Sequence, residues 1–278
     1  MKDLEKILDI LERKYEKAGV QAADLAEGIL GNKWYMAADS KERISFALRA
    51  DGPMEPEKYQ SLVKPLMGLP LNVCAKKLLA QGEGRGILVS ILNLMSKPFN
   101  TTEALLRQGI VKTEGLHFPV DVAKKKVGLI GYGVYLDFFL GKCAQFHAFD
   151  LRREEDIFST RVMTEETKTY PEGVIFHLGK NALEFSDILE ELDIVIMSGS
   201  TIVNNSYEKL LKVSKKAQLV GLYGPSSELC PEYFFDLGFQ YIFSTSVRDK
   251  KAYLNAALSA SPFFREFEFM DLYELKRE

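Results

Sequence analysis

The sequence has few of the residues that metal clusters, disulfide frameworks and membrane spans require. Its three cysteines, Cys74, Cys143 and Cys230, lie far apart and form no CxxC pair. This pattern predicts reduced thiols in a cytoplasmic protein. No pair among its three histidines has metal-ligand spacing, so the sequence predicts no zinc site. The longest apolar runs have the length of a β-strand and the N-terminus is densely charged, so we expect neither a membrane span nor a signal peptide.

The sequence also has no large excess of positive or negative charge. The 36 Lys and Arg residues nearly balance the 39 Asp and Glu residues, for a formal net charge of −3. Without a basic patch the chain is not expected to bind nucleic acid, which favours a small molecule as its partner and leaves room for a homo-oligomer. Hydrophobic residues make up 46% of the 278 residues, enough for one large domain or two smaller ones.

The first hundred residues predict an α+β unit. Apolar residues recur at three- and four-residue intervals over Leu4–Tyr15, as they do on one face of a helix. Segments Trp34–Ala38 and Arg43–Arg49 have the character of two strands joined by a polar turn. A nearly continuous apolar stretch at residues 87–95 predicts a buried helix, in which Asn93 is the polar exception.

The pattern changes after residue 124, where short apolar strands begin to alternate with amphipathic helices. The predicted strands are Val127–Ile130, Gln145–Phe149, Ile194–Met197, Leu219–Tyr223 and Tyr241–Ser244. Strands of this kind, separated by helices, are typical of a parallel sheet covered on both faces. The fold class is therefore α/β: a smaller α+β domain over residues 1–100, then a Rossmann-like, doubly wound parallel sheet over residues 101–278. The charged runs at 152–156 and 165–168 predict a solvated loop.

A glycine turn follows the first of these strands. Gly131-Tyr132-Gly133 lets the backbone turn tightly and offers N–H groups to a ligand. Asp150 ends the next strand, where a dinucleotide-binding fold places an acid on a ribose hydroxyl. Leu136 occupies the third glycine position of that motif, which weighs against a dinucleotide in the usual pose. A ligand contact and a purely structural turn both remain open for this loop.

Two further loops of small polar residues follow two other strands. Because ligands bind beyond the carboxyl ends of parallel strands, we expect these loops to converge with the glycine turn at one cleft. The binding candidates in them are Gly199, Ser200, Thr201 and Asn204 in one loop, and Gly224, Pro225, Ser226 and Ser227 in the other. No GxSxG elbow is present, so a serine hydrolase is not predicted. The sequence does not decide between an enzyme and a binding protein.

Three segments carry a family resemblance. The runs DIVIMSGSTIVNNS, VGLYGPSSEL and FSTSVRDKKAYLNAAL resemble motifs of the family known as "putative heavy-metal chelation" proteins. The resemblance implies an enolase N-terminal-like domain followed by a Rossmann-like domain, with a pocket between them. It also relates Leu92-Asn93 to an asparagine-containing apolar helix of the family. The chain departs from the family at Ser227, where threonine is common, and at Leu94, where alanine is.

Together these observations predict a protein that binds a small polar or metal-associated ligand in an interdomain cleft, in heavy-metal chelation or cofactor metabolism. Gly131, Tyr132 and Gly133 would supply backbone donors, the hydroxyl-rich loops would orient the ligand, and Asn93 would reach in from the N-terminal domain. The alternatives are a nucleotide-dependent oxidoreductase and a non-catalytic metal-binding protein. The cofactor therefore stays open between a metal ion and a nucleotide.

Overall fold

The computed structural model describes residues 1–31, 33–131, 136–162, 165–168, 172–184, 186–258 and 266–278. The helices in these ranges are α1 (Lys2–Ala18), α2 (Pro56–Val63), α3 (Leu71–Gln81), α4 (Arg85–Ser96), α5 (Thr102–Leu106), α6 (Leu136–Phe139), α7 (Glu154–Phe158), α8 (Ser186–Glu190), α9 (Ser200–Val203), α10 (Tyr207–Val213), α11 (Pro231–Leu237) and α12 (Lys250–Leu258). The strands are β1 (Leu25–Leu30), β2 (Trp34–Asp39), β3 (Ile44–Leu48), β4 (Ile110–Glu114), β5 (Lys126–Ile130), β6 (Gln145–Asp150), β7 (Ser159–Val162), β8 (Glu165–Lys168), β9 (Val174–Leu178), β10 (Ile194–Ser198), β11 (Leu219–Tyr223), β12 (Tyr241–Val247) and β13 (Met270–Arg277). No helix of these described ranges is long and apolar enough to cross a membrane.

The smaller sheet is antiparallel and has the order β1-β2-β3. Its β2–β3 hairpin is the one that the sequence predicts, with Trp34 opposite Leu48 and Ala38 opposite Ile44. The Asp39 carboxylate holds the turn by accepting hydrogen bonds from the backbone N–H of Lys41 at 2.9 Å and of Arg43 at 3.0 Å. The prediction missed β1, whose sequence LAEGIL has little of the alternation that marks a strand.

The larger sheet confirms the α/β class. Its eight strands have the order β4-β13-β12-β11-β10-β5-β6-β9, and all five predicted strands are among them. The pairs β10–β5, β5–β6 and β6–β9 are parallel, whereas β13 runs antiparallel to both β12 and β4. The predicted solvated loop after residue 152 is wrong, because α7 and the two-stranded β7–β8 sheet form there.

By its contacts the chain divides into two compact units. Unit 1 comprises Met1–His117, Gly199–Asn205 and Leu222–Glu278, and unit 2 comprises Phe118–Ser198 and Ser206–Gly221. The units interleave along the chain, because unit 1 takes in two segments from the second half. The division into domains at residues 1–100 and 101–278 stays a prediction.

The centre of unit 1 is helix α4. Every residue from Gly86 to Ser96 is buried, and α4 packs against α1, α3, β2 and β3. An ion pair fixes its first residue. Arg85 Nη1 donates to Asp3 Oδ1 at 2.9 Å, Nη2 pairs with the other carboxylate oxygen, and Nε donates to the carbonyl oxygen of Ile202 at 2.9 Å. Arg85 therefore ties the start of the chain and the segment around α9 to the same helix.

Gly199, just before α9, makes a very close backbone approach. Its N–H donates to the carbonyl oxygen of Tyr223 at 2.7 Å. A Cβ atom at this position would lie 2.7 Å from the backbone nitrogen of Ser227 and 2.8 Å from the carbonyl carbon of Ser226. Its φ of −56° suits any residue. The need for glycine is therefore one of space rather than of backbone conformation.

Unit 2 is built on the parallel strands β5, β6, β9 and β10. Gly128 leaves room on β5 for Leu192, whose Cδ1 would lie 2.3 Å from an added Cβ. On β6 and β9, His147 and His177 lie side by side, with Nδ1 of the first 3.0 Å from Nε2 of the second. Burial lowers the pKa of both imidazoles, helped at His147 by Lys126 and at His177 by His147.

Loss of the Asp3 carboxylate is expected to destabilise unit 1 in a pH-dependent way. Burial alone would raise the pKa of Asp3, but its hydrogen bond and charge interaction with Arg85 outweigh burial and hold the pKa below 3.8. The stabilisation is then present above the pKa of the unfolded chain and is lost as pH falls through the lower folded pKa. At neutral pH, Asp3→Asn should cost roughly 3 kcal/mol of unfolding free energy, because Arg85 is left unpaired in a mostly buried site.

Urea denaturation of wild type and variant from neutral to acidic pH measures this difference, which should shrink below about pH 4. The control is Glu103→Gln, which breaks an exposed pair with Arg107 whose side chains are 82% and 69% accessible. It should change stability by less than about 0.5 kcal/mol. A deficit of Asp3→Asn that stays constant down to acidic pH would contradict the ion-pair account.

Gly199→Ala is expected to destabilise the protein by overpacking. The added methyl group meets backbone atoms that cannot rotate away, so the cost should be about 1–3 kcal/mol. Thermal unfolding should show this as a loss of several degrees, at roughly 2–4 °C per kcal/mol for a chain of this size. Gly31→Ala is the matched control, because its Cβ would meet its nearest neighbours at 3.4 Å, an ordinary contact. Equal melting temperatures for the two variants would show that the close approach at Gly199 is not rigid.

Candidate functional site

Asn93 is a fully buried amide in the middle of α4. Its Nδ2 donates to the carbonyl oxygen of Phe46 at 2.7 Å and to that of Pro225 at 3.3 Å. Because both neighbours are acceptors, the NH₂ group must face them and the amide orientation is fixed. The Oδ1 atom on the other side is buried and has no hydrogen-bond partner among the described residues. Leaving such an acceptor unpaired costs about 1–3 kcal/mol, so a donor brought by a ligand would be favourable.

The loop after β11 is a 3-10 turn over Pro225–Ser227 that packs against β3 and β12. Gly224 precedes it with a φ of 94°, a value that favours glycine. Ser226 Oγ accepts a hydrogen bond from the backbone N–H of Leu48 at 2.8 Å. Ser227 Oγ donates to the carbonyl oxygen of Gly224 at 2.6 Å. Both hydroxyls are buried, and each has a structural bond in addition to any bond with a ligand.

The loop after β10 forms the short helix α9. Thr201 is buried at 2% exposure, and Asn204 ends the helix with its N–H donating to the carbonyl oxygen of Ser200 at 2.9 Å. Helix α9 packs against α4, β3 and the Pro225–Ser227 turn. Unit 1 thus gathers polar groups that lie more than 130 residues apart in sequence. We call Asn93, Thr201, Ser226 and Ser227 the amide–hydroxyl cluster.

The glycine-turn candidates belong to unit 2. Gly131 has a φ of 86°, and its N–H donates to the carbonyl oxygen of Phe149 at 2.8 Å. Tyr132 and Gly133 lie outside the described residues. Asp150 is held by Arg152, whose Nε donates to Oδ1 at 3.0 Å and whose Nη2 donates to Oδ2 at 2.7 Å. A ribose hydroxyl would have to share this carboxylate with the guanidinium group, and the dinucleotide hypothesis stays a prediction.

Sequence reasoning missed a charged group in unit 1. Lys97 Nζ donates to Glu228 Oε1 at 2.6 Å and to Ser246 Oγ at 2.9 Å. Asn100 Nδ2 donates to the backbone carbonyl oxygen of Glu228 at 2.5 Å. Glu228 directly follows the Gly-Pro-Ser-Ser loop, and Lys97 directly follows α4. These positions next to the predicted motifs could have marked both residues as site candidates. Their separation of 131 residues hid the pairing.

The donor atoms of the amide–hydroxyl cluster do not fit a bare heavy-metal ion. Soft metals prefer thiolate and thioether ligands, and borderline ions such as zinc also bind imidazole, whereas the cluster offers amide and hydroxyl oxygens. The thiols are held protonated: burial raises the pKa of Cys74 to about 12 and that of Cys230 well above its ordinary value. In the part of the chain that the structure describes, no group of three or more His, Cys, Asp or Glu residues could hold a metal ion.

Solved structures share the fold over nearly the whole chain. A protein of unknown function from the DUF364 family of Desulfitobacterium hafniense DCB-2 is 20% identical, with a TM-score of 0.64 over 100% of this chain and 99% of that one. A second protein of that family, from Pyrococcus horikoshii, is 18% identical, with a TM-score of 0.63 over 99% of both chains. At these identities the likeness establishes the fold alone.

A curated relative shares part of the sequence. An uncharacterised protein of Methanocaldococcus jannaschii is 27% identical over 125 residues, which span 45% of this chain and 42% of that protein. The match therefore spans less than half of the relative's length.

The family assignment follows from a longer match. Residues 117–273, more than half of the chain, match the DUF364 family, which is described as "Putative heavy-metal chelation". The matched range contains the loop around α9 and the Pro225–Ser227 turn, whose motifs carried the resemblance in the sequence. The resemblance is confirmed: the chain belongs to the DUF364 family.

Proposed function

We propose that this chain binds a small polar ligand that carries a metal ion, and that the amide–hydroxyl cluster of unit 1 recognises the organic part of that ligand. The family description supports an association with metals. The chemistry of the cluster supports a ligand that is recognised by hydrogen bonds. A metal complex satisfies both, because its chelator supplies the metal ligands and leaves polar groups for the protein.

The observation that carries this proposal is the unpartnered Oδ1 of Asn93. Asn93 lies at 0% exposure in an otherwise apolar helix, where an aliphatic residue would pack without an unpaired oxygen. Its NH₂ group already bridges Phe46 and Pro225. The remaining acceptor favours an O–H or N–H donor, such as a hydroxyl or amide group of a chelating molecule.

The cluster suits recognition better than proton transfer. Amide and hydroxyl groups do not titrate near neutral pH, so they orient a ligand without exchanging protons with it. General acid–base catalysis would call for a group with a pKa near the working pH. We therefore favour a binding role, such as sequestering or delivering a metal complex, over catalysis at this cluster.

The test is native mass spectrometry of untagged protein purified without chelators or affinity metal, combined with metal analysis of the same sample. The expected result is a bound species heavier than a bare ion, present together with a stoichiometric amount of metal. Thr201→Val, which keeps the side-chain shape but deletes the hydroxyl, should lower the occupancy. The loss of one neutral hydrogen bond corresponds to about 0.5–1.5 kcal/mol, or roughly 2- to 12-fold in affinity.

Ser61→Ala provides the control, because Ser61 Oγ donates to the carbonyl oxygen of Lys58 at an exposed position of α2, away from the cluster in sequence. This variant should retain the bound species at wild-type occupancy. Circular dichroism checks that both variants fold. A wild-type protein that carries only a bare ion or no ligand would overturn the proposal, as would equal occupancy in Thr201→Val and wild type.

A further inference from the structure

The sheet of unit 2 brings together two histidines that lie 30 residues apart in sequence. His147 is on β6, and His177 is on the neighbouring strand β9. Their imidazole rings are nearly parallel, with 4° between the planes and 5.3 Å between the centroids. Nδ1 of His147 faces Nε2 of His177 at 3.0 Å. When both rings are neutral, only one proton lies between these two nitrogens, so one ring donates the hydrogen bond and the other accepts it.

Sheet register explains why the two rings meet. In the parallel β6–β9 pair, His147 lies opposite Ile175 and Phe149 lies opposite His177. The four side chains therefore share one face of the sheet. Phe149 stacks on His177 with centroids 4.5 Å apart and 15° between the planes, which holds the histidine ring in place.

Solvent can reach this pair from one side. Strand β9 is at the end of the strand order, His177 is half-buried and Ile175 is 46% exposed, whereas His147 is buried. An ion can thus approach along the edge strand without crossing the core. The charge of Lys126 acts on His147, and Lys126 pairs with Glu191 at 3.4 Å.

We infer that His147 and His177 form a metal site in which a divalent first-row transition-metal ion takes the place of the shared proton, and that this proton moves to the other nitrogen of the donating ring. Imidazole nitrogen is a preferred ligand of nickel, copper and zinc. At bond lengths of about 2.0–2.1 Å, two nitrogens at right angles around one ion lie roughly 2.9 Å apart, and two at a tetrahedral angle roughly 3.3 Å. The observed 3.0 Å is nearer to the right-angle value.

A right-angled site for Ni²⁺ or Cu²⁺ and a tetrahedral site for Zn²⁺ each require only a small change in this distance. In the hydrogen-bonded pair the N–H of one ring points at the lone pair of the other. To bind one ion, the rings must tilt so that both lone pairs point toward a common position on the exposed side. His177 is the ring placed to do this, because it lies on the edge strand. Water would fill the remaining positions of the ion. The positive charge of Lys126 limits the affinity and its pairing with Glu191 moderates that effect.

The site is independent of the amide–hydroxyl cluster, since both histidines belong to unit 2 and the cluster belongs to unit 1. Metal binding here could serve a family described by heavy-metal chelation, but the inference rests on the two rings alone. The two sites also differ in the ligand that we propose for them. The histidines would bind a bare ion, and the cluster would bind a polar metal complex. Each proposal can therefore fail without the other.

The experiment is a calorimetric titration of the untagged, full-length protein with NiCl₂, together with Ni²⁺-dependent thermal unfolding. Wild type should bind Ni²⁺ at one site per chain, and its melting temperature should rise as Ni²⁺ is added. His147→Gln and His177→Gln should each weaken the binding by roughly tenfold or more, because one ligand alone holds the ion poorly. Thr201→Val should bind Ni²⁺ as wild type does.

His117→Gln is the matched control, because it removes the third histidine of the chain, which belongs to unit 1. It should leave the Ni²⁺ affinity unchanged. His177→Phe keeps a ring for stacking on Phe149 while deleting both nitrogens, so it tests the ligand role if the glutamine variants unfold. The inference is overturned if wild type binds no Ni²⁺, if His177→Phe binds it as tightly as wild type, or if His117→Gln loses as much affinity as the pair variants.

Discussion

The complete burial of helix α4 is the constraint on which unit 1 depends. No residue between Gly86 and Ser96 is exposed, so each polar atom there is costly unless it finds a partner inside the protein, and Asn93 Oδ1 has none among the described residues. Ser96 Oγ donates to the carbonyl oxygen of Leu92 at 2.8 Å and accepts from the N–H of Cys230 at 3.1 Å. Tyr15 OH donates to the carbonyl oxygen of Met95 at 3.0 Å. The polar residues of α4 therefore connect it to the rest of the unit.

This arrangement explains how one helix can both organise the fold and contribute to the recognition site that we propose. The amide of Asn93 links β3 to the Pro225–Ser227 turn through its NH₂ group, and the same geometry leaves its oxygen pointing elsewhere. The ion pair with Asp3 fixes Arg85 at the start of the helix. The hydrogen bond from Arg85 Nε to the carbonyl oxygen of Ile202 fixes the position of α9. Stability and the recognition that we propose thus depend on the same few contacts, and a ligand would meet preorganised groups.

Unit 2 uses its polar residues differently. The carboxylate of Asp150 is neutralised by Arg152 at the end of β6, where a dinucleotide-binding protein would use it for a ribose. Its two histidines pair with each other and stack on Phe149. Charge and hydrogen bonding are thus satisfied locally, between neighbouring strands or within one turn. The polar contacts of unit 1 instead join segments far apart in the chain.

The sequence by itself determined the α/β class, the opening helix, the β2–β3 hairpin and five strands of the larger sheet, because hydrophobic periodicity is a local property. It also identified the family, and it predicted small polar loops after β10 and β11 whose ligand-binding role stays a prediction. It did not reveal β4, β9 or β13, whose alternation is weak. Nor could it show that His147 meets His177 or that Lys97 meets Glu228. Those pairs depend on strand order and on helix packing, which bring distant residues together for reasons that no local pattern records.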